Sequence, residues 1–137
     1  MLRAIVFYIS IISSTFLFGQ ESDSLKRQSI YFGGGSYYID EEQLLKLQEF
    51  FSQVENLNEY EIVLFSHTDN IGGKEYNEWL SMKRSSAVIN HIKSLGIPEE
   101  LTKVKNLGMD NPLYTNRTSN GRMMNRRVDV ILVPITF

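Results

Sequence analysis

Cysteine is absent from the 137-residue sequence. This excludes disulfide scaffolds, thiol catalysis, iron–sulfur clusters, cysteine-based zinc sites and lipid attachment through a thiol of this chain. Histidine is scarce: there are two, His67 and His91. His67 and Asp69 form an H-x-D pair, but His91 falls late on a different segment, so no metal set assembles and no cofactor is expected. Positive charge is not in excess. A formal charge of −2 argues against a nucleic-acid partner held by bulk attraction to phosphate. Proline and glycine number 3 and 9, too few for a fibrous or low-complexity chain, and no internal repeat is visible. With 42% hydrophobic and 22% charged residues, the composition is that of one globular domain.

One long apolar run exists, and it opens the chain. Arg3 precedes an uncharged stretch from Ala4 to Gly19 that includes Ser10, Ser13, Ser14 and Thr15. A cationic start, an apolar stretch and a closing small residue describe a secretory signal. A membrane anchor is the alternative, but a spanning helix needs ~20 mostly apolar residues. The expectation is a signal peptide over 1–19, a polar tether over 20–28 and a folded domain over 29–137. The domain would then be exported to the periplasm, without a transmembrane span of its own. A cysteine-free chain suits such an oxidising compartment.

The pattern downstream alternates. Ser29–Phe32 reads as a strand stopped by Gly33-Gly34-Gly35. Asp40 is placed to cap a helix, with Gln43 completing the box. Leu44, Leu47, Phe51 and Val54 form its apolar face. Glu61–Phe65 is an unbroken apolar strand, expected to be covered on both faces. A second helix spans about Lys74 to Leu95, with Leu80, Ala87, Val88, Ile92 and Leu95 as its stripe and Gly96 as its stop. A weaker strand covers Thr102–Leu107. A polar loop follows from Asp110 to Gly121, then a short helix capped by Ser119 and a last strand over Arg127–Val133. The fold class is α/β (α+β), β-α-β-α-β-(short α)-β, with two main helices packed on one mixed sheet.

Arg84 interrupts the row Leu80-Arg84-Val88-Ile92. Burying its charge unpartnered would cost several kcal/mol. It therefore either pairs internally with a carboxylate or faces a pocket that receives an anion. Asn77, Ser81 and Arg84 share a helix face, and Asp69 follows a firmly held strand. One carboxylate and one guanidinium around a shared hollow suit a zwitterion. Asp69 would accept from its ammonium and Arg84 would grip its carboxylate with a planar fork.

The stretch SHTDNIGGKEYNEWLSMKRSSAVINHI resembles the signature of the OmpA-like peptidoglycan-binding family. His67, Thr68, Asp69, Gly72, Asn77, Leu80, Ser81 and Arg84 match in order and spacing. Gly108, Pro112, Asn116, Thr118, Gly121, Arg122 and Asn125-Arg126-Arg127-Val128 continue the match. The resemblance implies the OmpA-like fold and non-enzymatic binding of peptidoglycan through the meso-diaminopimelate of its stem peptide, with envelope proteins as further partners. It implies a ligand site of Asp69 and Arg84, with Thr68, Asn77 and Leu80, with Gly34 and Gly35 of the loop after the first strand, and with Arg126 or Arg127. Four positions depart from the family pattern. Ser66 stands for a glycine, Ser85 for an alanine and Met109 for a glutamate. Gly33-Gly34-Gly35 stand where an aromatic and an acidic residue are usual. The triple glycine is expected to free backbone N–H groups for a carboxylate and to loosen the loop.

Two rivals stand beside this reading. A module that keeps the fold but binds a protein through another surface is one. A small hydrolase using His67 and Asp69 is the other. Residue by residue, His67 is expected to hydrogen-bond its turn rather than hold a metal, and Trp79 and Tyr76 to pack partly in the core or stand on the pocket rim.

Overall fold

The computed structural model describes residues 25–136. The expected signal peptide and the start of the expected tether lie outside the described residues. The elements run β1 (Lys26–Tyr31), α1 (Glu41–Ser52), β2 (Tyr60–His67), α2 (Lys74–Ser94), β3 (Thr102–Gly108), α3 (Ser119–Asn125) and β4 (Arg127–Pro134). Single 3₁₀ turns at Leu57–Glu59 and Glu99–Leu101 precede β2 and β3.

The four strands form one mixed sheet in the order β1-β4-β2-β3. β4 lies between β1 and β2 and is antiparallel to both, whereas β2 and β3 are parallel. The β2-α2-β3 crossover accounts for the parallel pair. β1 starts three residues earlier than the sequence suggests, because Lys26 pairs with Leu132 and Gln28 with Val130. Ladder hydrogen bonds need no apolar side chains, so a polar edge segment can pair without leaving a hydrophobic signal.

Asp40 caps α1 by accepting from the backbone N–H of Gln43 at 3.0 Å. Gln43 Nε2 reaches back to Asp40, but to its Oδ2 at 3.2 Å and not to its backbone N–H. Gln43 also exchanges hydrogen bonds with the backbone N–H and C=O of Tyr31, tying α1 to the end of β1. The cap of α3 is Thr118 rather than Ser119; its hydroxyl accepts from Gly121 N–H at 3.0 Å.

Leu47 and Phe51 of α1 and Val88 and Ile92 of α2 pack on Ile30, Ile62, Leu64, Val128, Val130 and Leu132 of the sheet. Among the described residues no helix covers the opposite face of β2, whereas its apolar run led us to expect cover on both faces. Val63 and Phe65 meet Ile131 and Val133 there, and Lys105 lies 5.5 Å over the Phe65 ring. Side chains on neighbouring strands thus shelter one another.

The buried face of α2 changes character along its length. Towards its C-terminus it is apolar; towards its N-terminus it carries Asn77, Ser81, Arg84 and Ser85. Two of the departures from the family pattern fill this polar half. Ser66 Oγ donates to the Ser81 carbonyl at 2.6 Å, and Ser85 Oγ bonds Asn106 Oδ1 at 2.8 Å. The polar half of the helix faces the end of β2, where the candidate site forms.

Candidate functional site

β2 ends at His67, and the register against β3 shifts between Ser66 and His67. The chain then turns through Asp69 to Gly73 before α2 begins. Asp69 builds this turn, its Oδ1 accepting from Ile71 N–H at 3.0 Å. Asn77 Nδ2 donates back to the carbonyls of Ile71 (3.1 Å) and Gly72 (3.4 Å). Asn77 is fully buried, and its Oδ1 has no hydrogen-bond partner among the described residues. Thr68 is spent on structure as well: its N–H donates to Gly108 O at 2.8 Å and its hydroxyl to Asp69 O at 2.9 Å.

Arg84 is 0% exposed. Its fork does not meet a carboxylate. Nε donates to Ser36 O at 2.8 Å, Nη1 to His67 O at 3.1 Å and Nη2 to Gly33 O at 3.0 Å. The Phe32 ring lies 5.1 Å from its Cζ. Three backbone carbonyls thus stabilise the cation without neutralising it. Burial pulls its pKa down to about 10, partly offset by the charge of Asp69 and pushed further by that of Arg126. The side chain stays charged at neutral pH.

The glycine loop is closed rather than loose. Ser36 N–H donates to Gly33 O at 3.1 Å, and Gly35 takes φ 65°, as the third position of a type II turn requires. The loop turns its Gly33 and Ser36 carbonyls toward Arg84, not its N–H groups. The Gly34 and Gly35 N–H groups make no hydrogen bond among the described residues.

Arg126 and Arg127 separate cleanly. Arg126 Nη1 reaches Asp69 Oδ2 at 3.3 Å, and its Nε donates to Phe32 O at 3.0 Å. Its side chain is 17% exposed, and its Nη2 makes no hydrogen bond among the described residues. Arg127 points elsewhere. Its Nε lies 3.1 and 3.0 Å from the two carboxylate oxygens of Asp129, inside the domain. Strand alternation sends neighbouring residues to opposite faces, which explains the division. Leu80 is buried under the site and serves as packing.

His67 does not hold the turn through its imidazole, as expected; its carbonyl does, through Arg84. The ring lies instead 3.8 Å from Asp129 beside Arg127. Burial and the Arg127 charge lower its pKa, so it is neutral at pH 7. Asp129 also accepts from Ser29 Oγ at 2.6 Å. His67 and Asp69 therefore do not form a joint pair. No cluster of three or more metal-ligating side chains occurs among the described residues.

The assembled site is one carboxylate between two guanidinia. Asp69, itself 6% exposed, sits at its centre, with Arg84 behind and Arg126 at the edge. A cavity of about 390 Å³ opens beside Arg126, walled by Phe32, Gly33 and Met124 among others. Every member of the cluster falls within residues 31–126, the stretch matched by the OmpA family profile.

The chain belongs to the OmpA family.

Curated OmpA-family relatives include the outer-membrane lipoprotein YfiB of Pseudomonas aeruginosa. It is 41% identical over 69 residues, which is 50% of this chain and 41% of that protein. Outer membrane protein A of Citrobacter freundii is 31% identical over 87 residues, 62% of this chain and 37% of that protein. The chain thus spans about two fifths of the length of these relatives. Among solved structures, the peptidoglycan-associated lipoprotein of Burkholderia pseudomallei superposes with a TM-score of 0.72 at 26% identity, covering 77% of this chain and 90% of that one. The C-terminal domain of Helicobacter pylori MotB has a TM-score of 0.71 at 19% identity, covering 80% and 86%, and supports the fold.

Within this OmpA-family domain, sequence reasoning missed the acceptors of Arg84. Backbone carbonyls are common to every residue and leave no compositional trace. It also left the choice between Arg126 and Arg127 open; in the structure Arg126 is the one beside Asp69, and Arg127 meets Asp129. Tyr76 and Trp79, left between core and rim, are each 44% exposed and so are not core residues.

Proposed function

We propose that this domain binds peptidoglycan without covalent chemistry, through the zwitterionic end of meso-diaminopimelate, and so holds an envelope assembly to the cell wall from the periplasm. The observation that carries the reading is the charge balance of the site. One guanidinium pairs with the carboxylate and a second, held by backbone carbonyls, lies near enough for their charges to act on each other, leaving a sheltered surplus of positive charge that a ligand carboxylate complements. The Arg126–Asp69 contact of 3.3 Å is longer than the ~2.8 Å of a tight charged hydrogen bond, so it is readily re-partnered. An incoming zwitterion replaces this one ion pair with two. Its ammonium meets Asp69 and its carboxylate meets Arg126, while Arg84 supports the field and shapes the glycine turn. The roles expected of the two arginines are thereby exchanged.

General attraction plays no part in this scheme. The formal charge is −2 and the wall polymer carries carboxylates of its own, so recognition is local and stereochemical. A few charged contacts at a shallow site suggest an affinity of about micromolar to millimolar, with retention arising from avidity in the wall. No catalytic step is assigned.

The test is co-sedimentation with purified sacculi, with NMR titration of diaminopimelate- and lysine-type stem peptides. Wild type is expected to sediment, whereas folded Asp69→Ala and Arg126→Ala remain in solution. The lysine-type peptide, which lacks the second carboxylate, is expected to bind at least tenfold more weakly. Equal sedimentation of all three proteins would overturn the assignment.

A further inference from the structure

Outside the charged cluster, the rim carries aromatic side chains with no core to fill. Tyr37 is 47% exposed, and Tyr76 and Trp79 are 44% exposed. They form one array. The Tyr76 and Trp79 rings lie 5.8 Å apart at 31°, and Tyr37 meets Trp79 edge-on at 6.1 Å. Lys83, one helical turn beyond Trp79, brings its Nζ 5.8 Å from the indole centroid. Isolated exposed aromatics are ordinary, but mutually braced rings form a rigid surface whose ordering has already been met in folding.

The array is continuous with the charged site. The Tyr76 ring lies over Gly72, where an added Cβ would stand 2.8 Å from its Cδ1. Its hydroxyl reaches the other glycine turn, 3.2 Å from where a Cβ of Gly35 would be. Tyr76 therefore joins the two turns that frame Asp69 and Arg84, and Trp79 extends the surface outward. The hydroxyls of Tyr37 and Tyr76 make no hydrogen bond among the described residues.

We propose that Tyr37, Tyr76 and Trp79 form a sugar-binding ledge that receives a pyranose ring of the wall's amino-sugar strand when the stem peptide occupies the charged site. This rests on the peptide-binding reading above and adds a second ligand class to it. A pyranose presents an apolar C–H face that stacks on an aromatic ring. Its equatorial hydroxyl and acetamido groups require donors and acceptors at the ring edge, which the free phenols supply. A diaminopimelate at the third position of an extended stem lies ~10 Å from the sugar at ~3.4 Å per residue, so the sugar needs a surface set apart from Asp69. The array starts at the rim and extends by the 5.8 Å ring spacing beyond Tyr76. Lys83 adds a positive charge on the same edge, suited to a carboxylate on the stem.

Trp79 is the single tryptophan of the chain, so its emission reports on the ledge alone. The full chain is titrated with a disaccharide–tripeptide, with the same tripeptide lacking sugar, and with the disaccharide lacking peptide. The sugar-bearing ligand is expected to change Trp79 emission and to bind at least fivefold more tightly than the bare peptide. By calorimetry, Trp79→Leu is expected to bring the two affinities together while leaving that of the bare peptide unchanged. Equal affinities in wild type, both abolished by Asp69→Asn, would overturn the ledge and leave the peptide site standing. An increment that survives Trp79→Leu combined with Tyr37→Ala would also overturn it. Perturbation of Trp79 by the free disaccharide, with no binding of the bare peptide, would uphold the ledge and remove the peptide reading.

Discussion

Replacing Arg84 separates two views of a buried guanidinium. If it waits for a ligand, the empty protein carries an uncompensated charge, and an apolar substitute should be neutral or stabilising. If it clamps the fold, the same change should destabilise. Arg84→Met deletes the bonds to Ser36 O, His67 O and Gly33 O. Gly33 O keeps its bond from Ser36 N–H, so two carbonyls lose their partner. Hydrogen bonds to a charged group contribute ~1.5–3 kcal/mol each, which puts the gross loss for the three at about 4.5–9 kcal/mol. Against this stands relief of the buried charge. A pKa lowered to about 10 corresponds to about 3 kcal/mol held against the charged form. The balance is a net destabilisation of about 1.5–6 kcal/mol, a large share of an ordinary domain's stability. Urea unfolding should show a lower midpoint at unchanged slope. Hydrogen exchange at Ser36, whose N–H closes the turn onto Gly33 O, should quicken, because the turn loses two of its anchors. Arg84→Lys should fall between the two, keeping the charge but not the fork. A midpoint equal to or above that of wild type would refute the clamp.

Two further outcomes follow from geometry. A Cβ on Gly121 would stand 1.8 Å from Thr115 O, so Gly121→Ala should lower the melting temperature, at a cost of ~1–3 kcal/mol, by forcing α3 from the preceding loop. His67 is held neutral in the folded state by burial and by Arg127, so its folded pKa lies below its unfolded value. Its contribution is fully present above pH ~6.5 and fades as pH falls through the folded value, because the unfolded chain takes up the proton first. A denaturation series from pH 7.5 to 5 should therefore be flatter in His67→Gln than in wild type, and parallel curves would count against this account.

The alternation of elements was legible because each rests on local chemistry. The step of three and four from Leu44 to Val54 marks α1, Gly96 stops α2 and the polar stretch after Asp110 marks a loop. The central place of β4 was not, since its partners lie at the far end of the chain. The site divides in the same way. Asp69 and Arg84 were visible through spacing and motif, as a charge pair around a hollow. Their actual partners were not: Ser36 and Gly33 lie 48 and 51 positions from Arg84 and offer only carbonyls. The glycine triplet shows the limit most clearly. Three glycines read as slack chain, yet the fold uses the positive φ of Gly35 to close a turn that aims backbone oxygens at a cation.

The three bonds of Arg84 also bear on load. They fasten the turn after β1, the end of β2 and the middle of α2 to a single planar group. In the proposed role, a pull from the wall enters the domain near that group. The tension is then divided at once between a helix of 21 residues and a strand paired along both edges. Pulled along its own axis, such a strand loads the bonds of both edges together. A surface turn of glycines, weak by itself, thereby inherits the mechanical resistance of the sheet beneath it.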